Sequence, residues 1–357
     1  MAKADTISIP YPIIDSKEES SMKELTKRYE KLTKPGMLAK VGGKALEVIP
    51  ESIKDVGIKA KEAITERELF AQCMKVVAEG FSILEKQAAK LTISENTIVK
   101  KINKISQEAD ITSLDEICLS RSYDIAKLVN MYRTQDLVLA LAEGGATGYF
   151  GFPGLPFNLA LSTFLYYRAV QSVAMYYGYD AKNDPAELVI ASDVFMNALG
   201  PNSQGGNEIA GVVGKIMAMA EIAAIKQLNK KTWLEMAQHG GVALLLCQMR
   251  ALANNAAKKA LEKAGQKGLE ESIFKGVFAQ IGKNLSKKAL GKSVPVASAV
   301  IGALFDMVQM NTVLEYADIF YNKRYLLEKE VRINSLIGAS EPIESIVIDV
   351  SEETVSI

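Results

Sequence analysis

Residues 143–180 read EGGATGYFGFPGLPFNLALSTFLYYRAVQSVAMYYGYD, and the fold turns on what this stretch becomes. From Gly144 to Tyr167 it runs 24 residues without a charge. A bilayer-spanning helix needs about 20 apolar residues. Five glycines and two prolines in the first half disfavour one continuous helix, because Gly costs backbone entropy and Pro removes an intrahelical donor. The spacing predicts two short apolar helices joined at Pro153-Gly-Leu-Pro156. Such a hairpin is either buried in a helical core or set against a bilayer as an interfacial wedge whose backbone groups stay paired. At its end, Tyr177-Gly-Tyr-Asp180 reads as a turn: Gly178 takes a left-handed conformation and Asp180 satisfies local backbone groups.

On either side, from Lys17 to about Ile337, apolar residues recur at three- and four-residue spacing, the period of amphipathic helices. Asp184-Pro-Ala-Glu187 combines an N-cap Asp with Pro at the first helical position. Thr65-Glu-Arg-Glu68, Ser113-Leu-Asp-Glu116 and Thr232-Trp-Leu-Glu235 carry the capping-box pattern. Breaks fall at Pro35-Gly36, Gly42-Gly43, Gly200-Pro201, Gly205-Gly206 and Gly240-Gly241. The expected fold is all-α, a bundle of about ten helices with Gly/Pro-broken apolar hairpins. Its ends differ. Residues 1–16 and 339–357 contain β-prone runs, Thr6 to Ile14 and Ser345 to Val350, and are expected to be tails or arms docked on the body. The C-terminal tail holds five acidic residues and no Lys or Arg, which leaves the rest of the chain about +5; it reads as a solvated or docking segment. A composition shift near residue 110 divides a Lys- and Glu-rich helical arm (17–110) from a core (111–338); a single bundle throughout is the other reading.

Composition narrows the function. The chain has 357 residues, 42 Lys+Arg against 42 Asp+Glu, and 48% hydrophobic residues, a globular balance without the basic excess of a nucleic-acid binder. Cys73, Cys118 and Cys247 are widely spaced, as expected of buried thiols in a reducing cytoplasm. Met1 to Asp15 lacks the apolar run of a secretory signal. His239 is the single histidine; preceding Gly240-Gly241, it reads as a helix C-terminal cap. Multi-histidine metal sites are thereby excluded, and neither a Walker A sequence nor a dinucleotide fingerprint occurs. No residue is nominated as catalytic, cofactor-binding or metal-ligating, and an enzyme is not the expectation.

Gly151-Phe-Pro-Gly-Leu-Pro156, the helix after it, its ending in Tyr176-Tyr-Gly-Tyr-Asp180, and Ser293-Val-Pro-Val-Ala-Ser-Ala-Val-Ile-Gly-Ala303 together resemble the EcsC family of bacterial proteins, over roughly residues 110–335. Asn158 stands where an acidic residue is expected, so a role requiring a carboxylate there does not carry over. The resemblance implies a helical, membrane-associated protein, in a family named for a component associated with an ABC transport system. It implies no known catalytic site.

Polar residues inside apolar segments are costly unless paired, which singles out Asn158, Arg168, Asp193 and Asp306. They form either a buried network fixing helix register or a ligand or ion site between two hairpins. Phe157-Asn158 and Phe305-Asp306 stand 148 residues apart in similar apolar helices, either an internal duplication or chance. Finally, Asn254 to Lys292 carries nine lysines and three glutamates, with Ile273, Val277 and Ile281 on one helical stripe beside Phe274 and Phe278. Such a helix either faces the core or lies on anionic lipid. The expected membrane-contact residues are Phe150, Phe152, Phe274, Phe278, Lys283, Lys287 and Lys288. The expected partner is an anionic membrane lipid or a membrane protein, met peripherally on the cytoplasmic face. The rivals are a soluble adaptor with a protein-binding groove and a lipid-acting hydrolase that would need His239.

Overall fold

A computed structural model describes residues 8–34, 66–89, 93–106, 110–136, 155–199, 208–219, 242–289 and 307–338. Among them are ten helices: α1 (Ser16–Thr33), α2 (Glu66–Glu79), α3 (Phe81–Ala88), α4 (Glu95–Asn103), α5 (Ser122–Met131), α6 (Leu155–Tyr176), α7 (Pro185–Leu199), α8 (Glu208–Ala218), α9 (Val242–Ala289) and α10 (Met307–Leu336). The described residues contain no strand, and the protein is all-α.

Local chemistry explains where several helices begin. Asp15 caps α1: its Oδ1 accepts the Glu18 N–H at 2.7 Å, and the Glu18 carboxylate accepts the Asp15 N–H at 3.3 Å, closing a capping box. Asp184 accepts the Ala186 N–H at 2.8 Å in front of Pro185, so α7 starts as its sequence predicts. Ser113 to Glu116 does not open an α-helix. Glu116 turns back to the N–H and hydroxyl of Thr112 at 2.6 and 2.8 Å, and the backbone tightens into a 3-10 turn at Asp115–Leu119. Thr65, Thr232 and His239 lie outside the described residues.

Gly178 has φ 80°, and a Cβ there would sit 2.6 Å from the Leu114 carbonyl and against the Arg332 guanidinium. Two residues on, Asp180 Oδ1 accepts the N–H groups of Lys182 and Asn183 at 3.1 and 3.0 Å. The turn between α6 and α7 is therefore the one read from Tyr177-Gly-Tyr-Asp180. α6 carries Pro156 in its first turn, where a missing N–H costs nothing, and continues unbroken for 22 residues. The preceding half of the expected hairpin, with Phe150 and Phe152, is outside the described residues, as is the second hairpin up to Asp306. Among the described residues no helix is long and apolar enough to cross a membrane.

The core is organised around α10, which packs against α1, α5, α6, α7 and α8. Every residue from Tyr316 to Lys329 is buried. On the other side α9 packs on α7, α8 and α2, while α6 bridges α2, α3, α7 and α10. Met22 of α1, Val77 of α2, Leu84 of α3 and Ile98 of α4 belong to the same core as Phe164, Phe195 and Phe320. The composition shift near residue 110 therefore does not separate two cores. Ser8 to Ile14, read as β-prone, is not a strand; it docks through the Pro12 carbonyl, which accepts from Arg121 at 2.9 Å.

Candidate functional site

A helix buried all round is expected to be apolar all round. α10 instead buries Asp318, Asn322, Lys323, Arg324, Glu328 and Lys329. Arg324 forms a two-pronged pair with Glu187 of α7 at 2.6 and 2.7 Å, reaches Glu328 at 3.1 Å, and lies 3.9 Å above the Tyr179 ring. Burial pushes the Glu187 carboxyl up, but Arg324 outweighs it and holds Glu187 below the usual range. Lys329 meets Glu18 at 2.7 Å, and Glu18 also takes Arg121 at 3.2 Å and the Ser122 N–H at 2.8 Å. Asp318 joins Arg28 and the Tyr177 hydroxyl, each at 2.7 Å. Lys323 donates to the Thr26 hydroxyl and to the carbonyls of Met217 and Met219 at the C-terminal end of α8, where the helix dipole favours a cation. Burial pulls its amine down to about 8. These charges answer one another inside the bundle, a spine that sets the register of five helices.

The second polar feature faces outward. α9 is two helical limbs meeting at Gly265, whose φ of 67° and ψ of 171° break the helical backbone. The first limb is anchored by Met249, Ala253 and Ala257 in the core and by Arg250, 3.9 Å from Glu187. In the second limb Glu270 accepts from Arg168 at 2.7 Å and from Gln171 at 3.0 Å, with Glu85 4.0 Å from Arg168. The ring of Phe274 packs 4.8 Å from Phe164 and 5.7 Å from Tyr167, and Phe278 stacks on Phe70 at 5.6 Å. Between these anchors none of the residues from Lys258 to Gly268 is buried. Lys258, Lys259, Lys263 and Lys267 are exposed there, with Glu262 the one acidic residue of the bend, a local charge of about +3.

The residues singled out in the sequence separate accordingly. Phe274 and Phe278 are 0% and 2% exposed, so in this fold they are core rather than membrane contacts; their stripe faces α2, α3 and α6. Arg168 is largely buried and paired with Glu270. Asp193, on α7, is buried, and burial raises its carboxyl to about 7. No described bond joins Arg168 to Asp193. Asn158 lies within α6 and Lys283, Lys287 and Lys288 at the end of α9, but their side chains, like Asp306, fall outside the described residues. Not singled out were the spine residues Glu18, Glu187, Lys323, Arg324 and Lys329 and the exposed lysines of the bend. The lysines were within the basic stretch read as 254–292, and four of them are exposed around the break at Gly265.

The chemistry open to the described residues is limited. Burial pushes the Cys73 thiol to about 12 and the half-buried Cys247 to about 11, far from the thiolate form a nucleophile needs. Among the described residues no three His, Cys, Asp or Glu side chains are grouped to hold a metal ion.

The model of the EcsC protein family matches residues 18–326. The chain belongs to the EcsC family. The match begins at Glu18 and ends two residues past Arg324, so the EcsC unit takes in nearly all of α1, Glu187 and Arg324 of the spine and most of α10, and leaves out Glu328 and Lys329. It also takes in the whole α9 bend. No curated protein and no solved structure matches this EcsC chain.

Proposed function

We propose that this EcsC protein is a peripheral membrane-associated protein on the cytoplasmic face, with no catalytic role, and that the bend of α9 is its contact with anionic lipid headgroups. The observation carrying this reading is the cluster of exposed Lys258, Lys259, Lys263 and Lys267 between two limbs whose inner faces are held in the core. Anchored limbs keep the lysines together, so little ordering is left to do on binding. Each lysine near an anionic surface contributes about 1 kcal/mol; after subtracting Glu262, about 3 kcal/mol remains, roughly a hundredfold in partitioning. That is enough for reversible docking and far short of insertion, in keeping with buried Phe274 and Phe278.

The test is flotation of the full chain with neutral and anionic vesicles over a salt series. Wild type is expected to float with anionic vesicles at low salt and to be released as salt rises. K258E/K259E/K263E/K267E is expected to lose at least about a hundredfold in partitioning while keeping its helical spectrum. Salt-resistant flotation with neutral vesicles would overturn docking through lysines in favour of apolar insertion, and no flotation would overturn the lipid reading itself.

A further inference from the structure

The lysine bend has a second candidate occupant in the same chain. α10 ends at Leu336, and Gly338, at φ 67°, turns the chain out of the helix axis. Beyond it Glu341, Glu344, Asp349, Glu352 and Glu353 follow within 19 residues that contain no Lys or Arg. Five negative charges on a tether and four exposed lysines on an anchored bend are complementary in sign and similar in number.

Geometry allows them to meet. Arg250 of α9 and Arg324 of α10 both reach Glu187, which places those two points within about 21 Å of each other. At 1.5 Å per helical residue, Lys258 lies about 12 Å from Arg250 and Gly338 about 21 Å from Arg324. Whatever the relative direction of the helices, Lys258 is thus within about 54 Å of Gly338. A chain reaching at most about 3.6 Å per residue brings Glu353 that far fully extended, and any shorter true distance brings the other acids into reach.

We propose that residues 339–357 dock on the α9 bend of their own chain and compete there with anionic lipid. The lipid half of this inference rests on the reading above; the docking half does not. A tether of this length presents its acids at millimolar effective concentration, so weak exposed pairs suffice to hold them in place part of the time. The contact loosens with salt on the same scale as lipid docking, because both are surface electrostatics.

Zero-length carbodiimide cross-linking of the full chain, without vesicles, tests the docking half: mass spectrometry should find Glu341 to Glu353 joined to Lys258, Lys259, Lys263 or Lys267. These cross-links should fade at high salt and vanish in K258Q/K259Q/K263Q/K267Q. The competition half is read with E341Q/E344Q/D349N/E352Q/E353Q, which should float with anionic vesicles about tenfold more tightly than wild type at low salt. Cross-links to the bend without any flotation would uphold docking and sink the lipid reading. Flotation with no cross-link to the bend, or with cross-links mainly to other lysines such as Lys75 or Lys101, would overturn the inference while leaving the lipid reading standing. Equal flotation of wild type and the neutralised tail would overturn the competition.

Discussion

Glu187→Gln isolates a two-pronged, buried ion pair in the spine. Arg324 is fully buried, so its guanidinium has no water to fall back on when the two bonds at 2.6 and 2.7 Å lose their charged acceptor. Removing one member of a buried pair costs about 3–5 kcal/mol. Glu328 at 3.1 Å and the Tyr179 ring remain, and Gln keeps one acceptor, which places the expected loss near the lower end, about 3 kcal/mol. Urea unfolding of wild type, E187Q, R324M and the double variant measures it. The double variant is expected to lose less than the sum of the singles, with a coupling of about 2 kcal/mol or more, since E187Q/R324M leaves no orphaned cation. A pH series adds an independent check. Glu187 is held below its ordinary value of 4.5, so its contribution is present above that value and fades as pH falls through the lower folded value. Wild type should therefore lose stability below that point more steeply than E187Q. A loss under about 0.5 kcal/mol with no coupling would refute the buried pair.

Two further outcomes concern the turn, the bend and α7. Gly178→Ala places a methyl against the Leu114 carbonyl and Arg332 at a positive φ, for an expected loss of about 2–4 kcal/mol, whereas Gly265→Ala, with open space around it, should lose about 1–3 kcal/mol from backbone strain alone; thermal unfolding measures both. Asp193 holds its proton up to about pH 7 when folded against 3.8 ordinarily, so stability falls as pH rises from about 4 to 7. Asp193→Asn, which cannot ionise, should match wild type near pH 4 and exceed it by about 2–4 kcal/mol at pH 8; a constant difference across that range would contradict the buried carboxyl.

What was legible in the sequence was local. The Asp184-Pro185 start, the Gly178 turn and the helical period are each decided within four or five residues, and each is present in the fold. The spine was not legible because its partners are far apart in the chain: Lys329 and Glu18 by 311 residues, Arg324 and Glu187 by 137. A charged residue in isolation reads as solvated. The available signal was negative, since Tyr316 to Arg332 has charges and tyrosines on every face and no apolar stripe to lay against a core. For Phe274 and Phe278 periodicity put both on one face but could not say what that face meets. The lysines were legible as a basic stretch, but which of them stay exposed depends on how the two limbs of α9 pack on the core on either side of Gly265.

The placement of α10 also dictates the order of events during synthesis. Glu18, Arg28, Glu187 and the end of α8 all take partners from α10, which is translated after every one of them. Until that helix leaves the ribosome, the earlier helices cannot complete their core, and Glu18 and Glu187 lack Lys329 and Arg324. Contacts spanning most of the chain make folding slow and leave apolar surface open to other nascent chains meanwhile. The earlier helices thus form an unfinished bundle that waits for its keystone.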